Sequence, residues 1–483
     1  MDSEIKFSSS VTIIERKNFW YGLKSRLPYP FALLGLAVGT TLAFTATPPV
    51  GLTTEGQRAI VIFVLCLLLW LWGRIPLVIT SLLAITALPI AGVMKASRVY
   101  ALFGNEAVFF ILGAFILAAA LMASGLSSRI ALQILEKTGS TPFKLLLGIY
   151  LLNVFLAFFM SEHAVAAMMF PIIVEIARAL KLKPKQSSYA TAIFLAMAWG
   201  TSVGGITTFL GGARAPLAVG ILKEMTGKSI SFFDWFLAAF PITFLLTVAG
   251  LLLLVRFFPI DIESISSAKL VLRARNNQLG SLSYSELVVG FIMLLTIICW
   301  VFLGEEYGLA NISLVAVIVL FFLRAVKWRD IEERVNWGII LMYGGAICLG
   351  AALADTGAAK WLVETKLSGL VSNRILIIAM FSFISYVLTE IMSNSAVVAA
   401  LLPVALPLAI SANFDAVVMV YVIAIPAGLG FALPMGTPAN AIAYSSGYVE
   451  RKDMILPGII FGLLSWAIFT IVVIFLWPLI GIK

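Results

Sequence analysis

Long apolar runs alternate with short polar or basic stretches along nearly the whole chain. Apolar runs near 30–47, 58–73, 75–93, 107–126, 189–210, 232–255, 286–303, 309–325, 336–354, 416–435 and 455–479 predict helices able to cross a bilayer. Two places read differently. Between the fourth and fifth spans lie paired apolar arms, 143–160 and 164–180, and between the ninth and tenth lies a second pair, 375–392 and 396–410. A short polar tip parts each pair: Ser161-Glu162-His163 in one, Ser393-Asn394-Ser395 in the other. A polar tip between apolar arms predicts a re-entrant hairpin. The expected fold is an all-α integral membrane protein with about 11 transmembrane helices and two re-entrant hairpins.

The two hairpins read as copies. Ser161/Ser393, His163/Ser395 and Pro171/Pro403 all stand 232 residues apart. At the same offset Gly113, Leu117, Ala119, Ala120, Leu121 and Gly125 recur as Gly345, Leu349, Ala351, Ala352, Leu353 and Gly357. Lys and Arg gather on the cytoplasmic side of a bilayer. With the N-terminus inside, the basic segments 129–144, 178–185, 256–275, 324–334 and 451–452 also fall inside, and the C-terminus falls outside. The first hairpin then opens from the cytoplasm and the second from outside, so the repeats are inverted. The polar loop 259–285 joins them as a cytoplasmic linker.

A span broken by glycines follows each hairpin. The first holds Gly204-Gly205 and Gly211-Gly212-Ala213-Arg214-Ala215-Pro216; the second holds Gly428-Leu429-Gly430, Pro434 and Gly436-Thr437-Pro438-Ala439-Asn440. A break within a bilayer is tolerated where protein or a water-filled cavity satisfies the freed backbone groups. Freed carbonyls with Asn and Thr oxygens suit Na⁺, and the N-termini of half-helices favour an anion.

Composition agrees and narrows the function. The 483 residues are 61% hydrophobic and 12% charged, with a mean hydropathy of +1.06; a soluble domain carries about 25% charged residues. The net charge of +9 follows membrane sidedness, so no nucleic-acid partner is expected. Cys66, Cys299 and Cys348 lie in apolar runs and read as core residues. One histidine, His163, and no metal cluster, phosphate loop or nucleophile elbow argue against an enzyme. Residues 1–29 are polar and basic and do not read as a signal peptide.

At the tips and breaks the chain resembles the divalent anion:sodium symporter family, over about residues 55–483. Members carry Ser-Asn-Thr at each hairpin tip and a Gly-Thr-Pro-x-Asn-like break. The second repeat fits closely. The first departs: Glu162 and His163 replace Asn and Thr, and the break reads Gly212-Ala213-Arg214-Ala215-Pro216. Ala213 and Pro216 cannot offer side-chain oxygens, and Arg214 brings a fixed positive charge where a cation would sit, with Glu162 as its counter-charge. The resemblance implies a DASS-like elevator fold, a homodimer in the cell membrane, and a small anionic substrate of the di- or tricarboxylate or sulfate kind. It divides the chain into a cytoplasmic segment 1–29, scaffold helices 30–126, first hairpin and transport helices 127–258, linker 259–285, scaffold helices 286–372, and second hairpin and transport helices 373–483. The candidate substrate site is Ser161, Glu162, His163, Ser393, Asn394, Ser395, Thr437 and Pro438. The candidate cation-binding or cation-replacing set is Ser393, Asn394, Gly436, Asn440 and Arg214. No cofactor is expected beyond Na⁺. Coupling stays open among exchange, one Na⁺, and a proton carried on Glu162 and His163. The competing readings are a Na⁺/H⁺ antiporter-like carrier, disfavoured because the second tip lacks a carboxylate, and a non-transporting membrane scaffold.

Overall fold

The structure, a computed structural model, describes residues 28–366 and 373–482. Most of the N-terminal segment 1–29, and residues 367–372 of the second scaffold block, lie outside the described residues. Helix Pro28–Thr45 belongs to one unit, Met1–Pro48; everything from Pro49 onward forms another. Among the described residues the regular structure is entirely helical, and eight helices are long and apolar enough to cross a membrane. Shorter apolar helices such as Leu77–Ile90, Pro142–Leu156 and Leu309–Phe322 stand among them.

The 232-residue offset is written into the packing. Helices Leu77–Ile90 and Leu309–Phe322 share that offset, as do Glu162–Ala179 and Asn394–Ser411. A Cβ on Gly113 would lie 2.5 Å from Ser313 Cβ, and a Cβ on Gly345 would lie 2.5 Å from Ser81 Cβ. Ser81 and Ser313 are themselves 232 apart. Each repeat therefore seats a serine of one repeat's helix against a glycine of the other's, at a distance only glycine allows. Gly125 and Gly357 both take positive φ, 87° and 71°, and both start a new helix where an L side chain would be strained.

The tips are helix starts. Ser161 caps Glu162–Ala179 by accepting from the Ala164 amide at 3.3 Å; Ser393 caps Asn394–Ser411 by accepting from Ala396 at 3.3 Å. Glu162-His163 and Asn394-Ser395 thus form first turns of helices, where orphan N–H groups collect.

Helix Ser188–Gly205 forms the centre and is buried from Tyr189 to its end. Gly204 lets it lie against the preceding arm: a Cβ there would sit 2.1 Å from the Val154 carbonyl oxygen. The linker is more ordered than a polar loop. It contains helix Ser266–Gln278, because Ala268 and Leu272 bury one face while Arg275 pairs with Glu175 and Asn276 bonds Glu136 at 2.6 Å. After it, buried Arg129 holds Glu286 at 2.6 Å and also donates to the carbonyls of Leu279, Gly280 and Ser281.

Candidate functional site

Both tips and both breaks meet around one cavity of about 600 Å³. Ser161, Glu162, His163, Arg214, Ser393, Asn394, Ser395, Gly436, Thr437 and Pro438 all line it. Asn440 does not; it is fully buried behind the lining. Residues far apart in sequence converge here because the two repeats bring their helix starts to one cavity.

The first half of the site is closed by an ion pair. The helix after the first break begins at Arg214 and runs to Thr226. Arg214 is 2% exposed, and its Nη1 donates to Glu162 Oε1 at 2.5 Å. The guanidinium fits because its neighbours have no side chains. A Cβ on Gly212 would lie 2.3 Å from Nη1, and one on Gly428, in the other repeat, 2.2 Å from Nη2. Glu162 in turn sits on Gly205, whose Cβ would lie 2.5 Å from Glu162 Cγ. The break's backbone is also accounted for: the Glu162 amide donates to the Gly211 carbonyl at 3.0 Å, and Thr208 Oγ1 donates to Phe158 at 2.7 Å. Among the described residues, Nη2 of Arg214 has no hydrogen-bond partner.

The second half is built from neutral oxygens and freed backbone. Helix Ala416–Ala424 passes through a 3₁₀ turn, Pro426–Gly428, and no regular structure resumes until Pro438. Thr437 caps that short helix by accepting from the Asn440 amide at 3.2 Å. Asn440 Nδ2 donates to the Gly430 and Leu433 carbonyls at 3.2 and 3.1 Å, which fixes its orientation and leaves buried Oδ1 without a partner among the described residues. An unpaired buried acceptor costs about 1–3 kcal/mol, so an atom of this kind fits a cation ligand. Asn394 clips tip to break. With its amide nitrogen facing acceptors, it donates to Gly436 O at 3.1 Å, Ala427 O at 3.2 Å and Thr389 Oγ1 at 2.8 Å. Thr389 passes its own hydrogen to Ala427 O at 2.6 Å.

Glu390 lies outside the cavity lining and holds the break from behind. Its carboxylate accepts from the amides of Phe431, Ala432 and Leu433 at 2.8 to 3.2 Å. Asp355 and Glu106 stand at helix ends, and Glu106 pairs with Lys223 at 2.5 Å. Thr389, and Glu333 and Arg334 at one edge of the cavity, are participants the sequence reading passed over. Thr389 could have been found as a hydroxyl four residues before the second tip. The mouth residues carry no signal, because they come from a basic connection that reads only as topology.

Two hairpin tips and two broken helices around a midchain cavity define a helical membrane transporter built on an internal repeat. The chain belongs to the family of the sodium:sulfate symporter transmembrane region, whose model matches residues 31–482. It is similar to the sodium-dependent dicarboxylate transporter SdcS of Staphylococcus saprophyticus, 30% identical over 482 residues, with 92% of this chain and 91% of that one covered. It is also similar to SdcS of Staphylococcus aureus strain NCTC 8325, 28% identical with 98% and 97% covered. The crystal structure of the Alcanivorax borkumensis YdaH transporter shares the fold, with a TM-score of 0.55 at 13% identity, covering 80% of this chain and 90% of that one. The protein is a multi-pass membrane transporter and not an enzyme.

Proposed function

We propose that the protein is a secondary active transporter of small anions, dicarboxylates first among them, with one exchangeable Na⁺ site instead of two. The observation that carries this reading is the buried Arg214–Glu162 pair beside the second tip in one cavity. In a twofold site each half would hold a cation near the anion. Here the second half offers the unpaired Asn440 oxygen, Thr437 and freed carbonyls, which suit Na⁺. The first half offers Ala213 and Pro216 in place of oxygen ligands, and a guanidinium that never loses its charge. The two helix N-termini capped by Ser161 and Ser393 supply the positive potential an anion needs. The sodium-dependent dicarboxylate transporters among its relatives support the substrate class and the coupling ion.

The cavity edge at Glu333 and Arg334 belongs to a basic segment that charge sidedness assigns to the cytoplasm. That favours a site open inward in this structure, an N-terminus in the cytoplasm and a C-terminus outside. Alternation then comes from an elevator motion. Blocks 127–258 and 373–483 move against a scaffold of 30–126 and 286–372, in a homodimer, with 259–285 as the link.

Purified protein in liposomes, given labelled succinate, sulfate and citrate at varied Na⁺, tests the proposal. Succinate uptake should saturate with Na⁺ at a Hill coefficient of about 1, since one ion site remains to be filled. Uptake of none of the anions, or a steep dependence on two or more Na⁺, refutes it.

A further inference from the structure

Resting on that reading, we propose that His163 is the proton site of the cavity, so that the anion is carried together with one proton. Two acid–base groups stand at the first tip, and the structure separates their roles. Glu162 is buried, committed to Arg214 at 2.5 Å and packed on Gly205. Releasing it would strand a guanidinium in a slot between two glycines. His163, the next residue, is exposed and lines the cavity.

The charges around His163 leave a place for one more positive charge. Glu162 and Arg214 cancel. Glu333 and Arg334, at the mouth, are of opposite sign. The second tip and break contribute the neutral Ser393, Asn394, Ser395 and Thr437. Other titratable residues on the helices packed against Glu162–Ala179, such as Glu106, Arg129, Glu136, Lys144, Tyr189 and Arg275, do not line the cavity. A dianion with one Na⁺ therefore leaves a single negative charge in the site. Imidazole is the side chain that changes charge near neutral pH. An anion beside it favours the charged form, and by reciprocity the proton strengthens anion binding. A dianion, one Na⁺ and one proton then cross as a neutral set. The proton leaves with the anion when the site empties.

The test is calorimetric binding of succinate at saturating Na⁺, at about pH 7 and about pH 8, where succinate is fully ionised, in two buffers of different ionisation enthalpy. Wild type should take up protons on binding and bind more tightly at the lower pH, by at most about 10-fold per unit for one linked proton. H163T, with a small hydroxyl residue at this tip position, should bind without proton uptake and with no pH slope. H163K should bind with no pH slope and at least as tightly as wild type at the lower pH. Wild-type binding without proton uptake, or uptake that survives in H163T, overturns the proposal and leaves the transporter reading intact. Failure of wild type to bind succinate, sulfate or citrate overturns both.

Discussion

Arg214→Ala should abolish substrate exchange in liposomes and lower the protein's stability in detergent by about 3–5 kcal/mol, the cost of leaving a buried carboxylate unpaired. Glu162→Ala should do comparable harm, because the guanidinium it leaves behind is 2% exposed and, among the described residues, has no other carboxylate in contact. Removing both should hurt stability less than the sum of the two single losses. The pair has one hydrogen bond of 2.5 Å between its members and packs on Gly205, Gly212 and Gly428. Thermal unfolding of the two single variants and the double variant reads the coupling directly. Strictly additive losses would mean that the two groups do not act as a unit. Transport should not return in the double variant, because the pair that occupies the first cation position is gone.

Asn394→Ala should weaken substrate binding at least about 10-fold, the loss of one good hydrogen bond with its polar partner left in place. The geometry suggests a larger effect than a lost ligand alone. Asn394 joins the second tip to the break by bonding Gly436, Ala427 and Thr389 together, and Thr389 completes the link to Ala427. Without the amide, those carbonyls lose a shared donor where the helix is already broken. Binding measured on protein that still elutes as a folded species, by anion titration at saturating Na⁺, decides the matter. An unchanged affinity would remove Asn394 from the site.

Much of this architecture was legible in the sequence because periodicity and offset are backbone properties. The 232-residue spacing announced the repeat, and the Ser81–Gly345 and Ser313–Gly113 contacts are its packing form. The tips were legible because a serine followed by polar residues between two apolar arms has few other uses in a bilayer. The placement of Arg214 opposite Glu162 followed from an intramembrane charge needing a partner. What escaped reading depends on long-range contact. Glu390, three residues before the tip, reads as a capping or scaffold contact and is one, but which groups it holds, the amides of Phe431, Ala432 and Leu433, emerges only in the folded chain. Asn440 matched the motif, yet it sits behind the cavity wall with its amide nitrogen spent on Gly430 and Leu433. The linker read as loop because its helix has a polar composition, and its order comes from partners at Glu136 and Glu175 that local sequence does not reveal.

The central claim is that Arg214 permanently fills the first cation position, leaving one for Na⁺. It is tested most directly by the reversal condition of succinate flux in proteoliposomes, with equal pH on both sides and opposed Na⁺ and succinate gradients. With one Na⁺ per anion, a 10-fold Na⁺ gradient balances an opposing succinate gradient of about 10-fold at zero membrane potential, because each 10-fold gradient carries the same free energy. A balance point near about 100-fold or beyond would require two or more Na⁺ per anion and would contradict the replacement of an ion by Arg214.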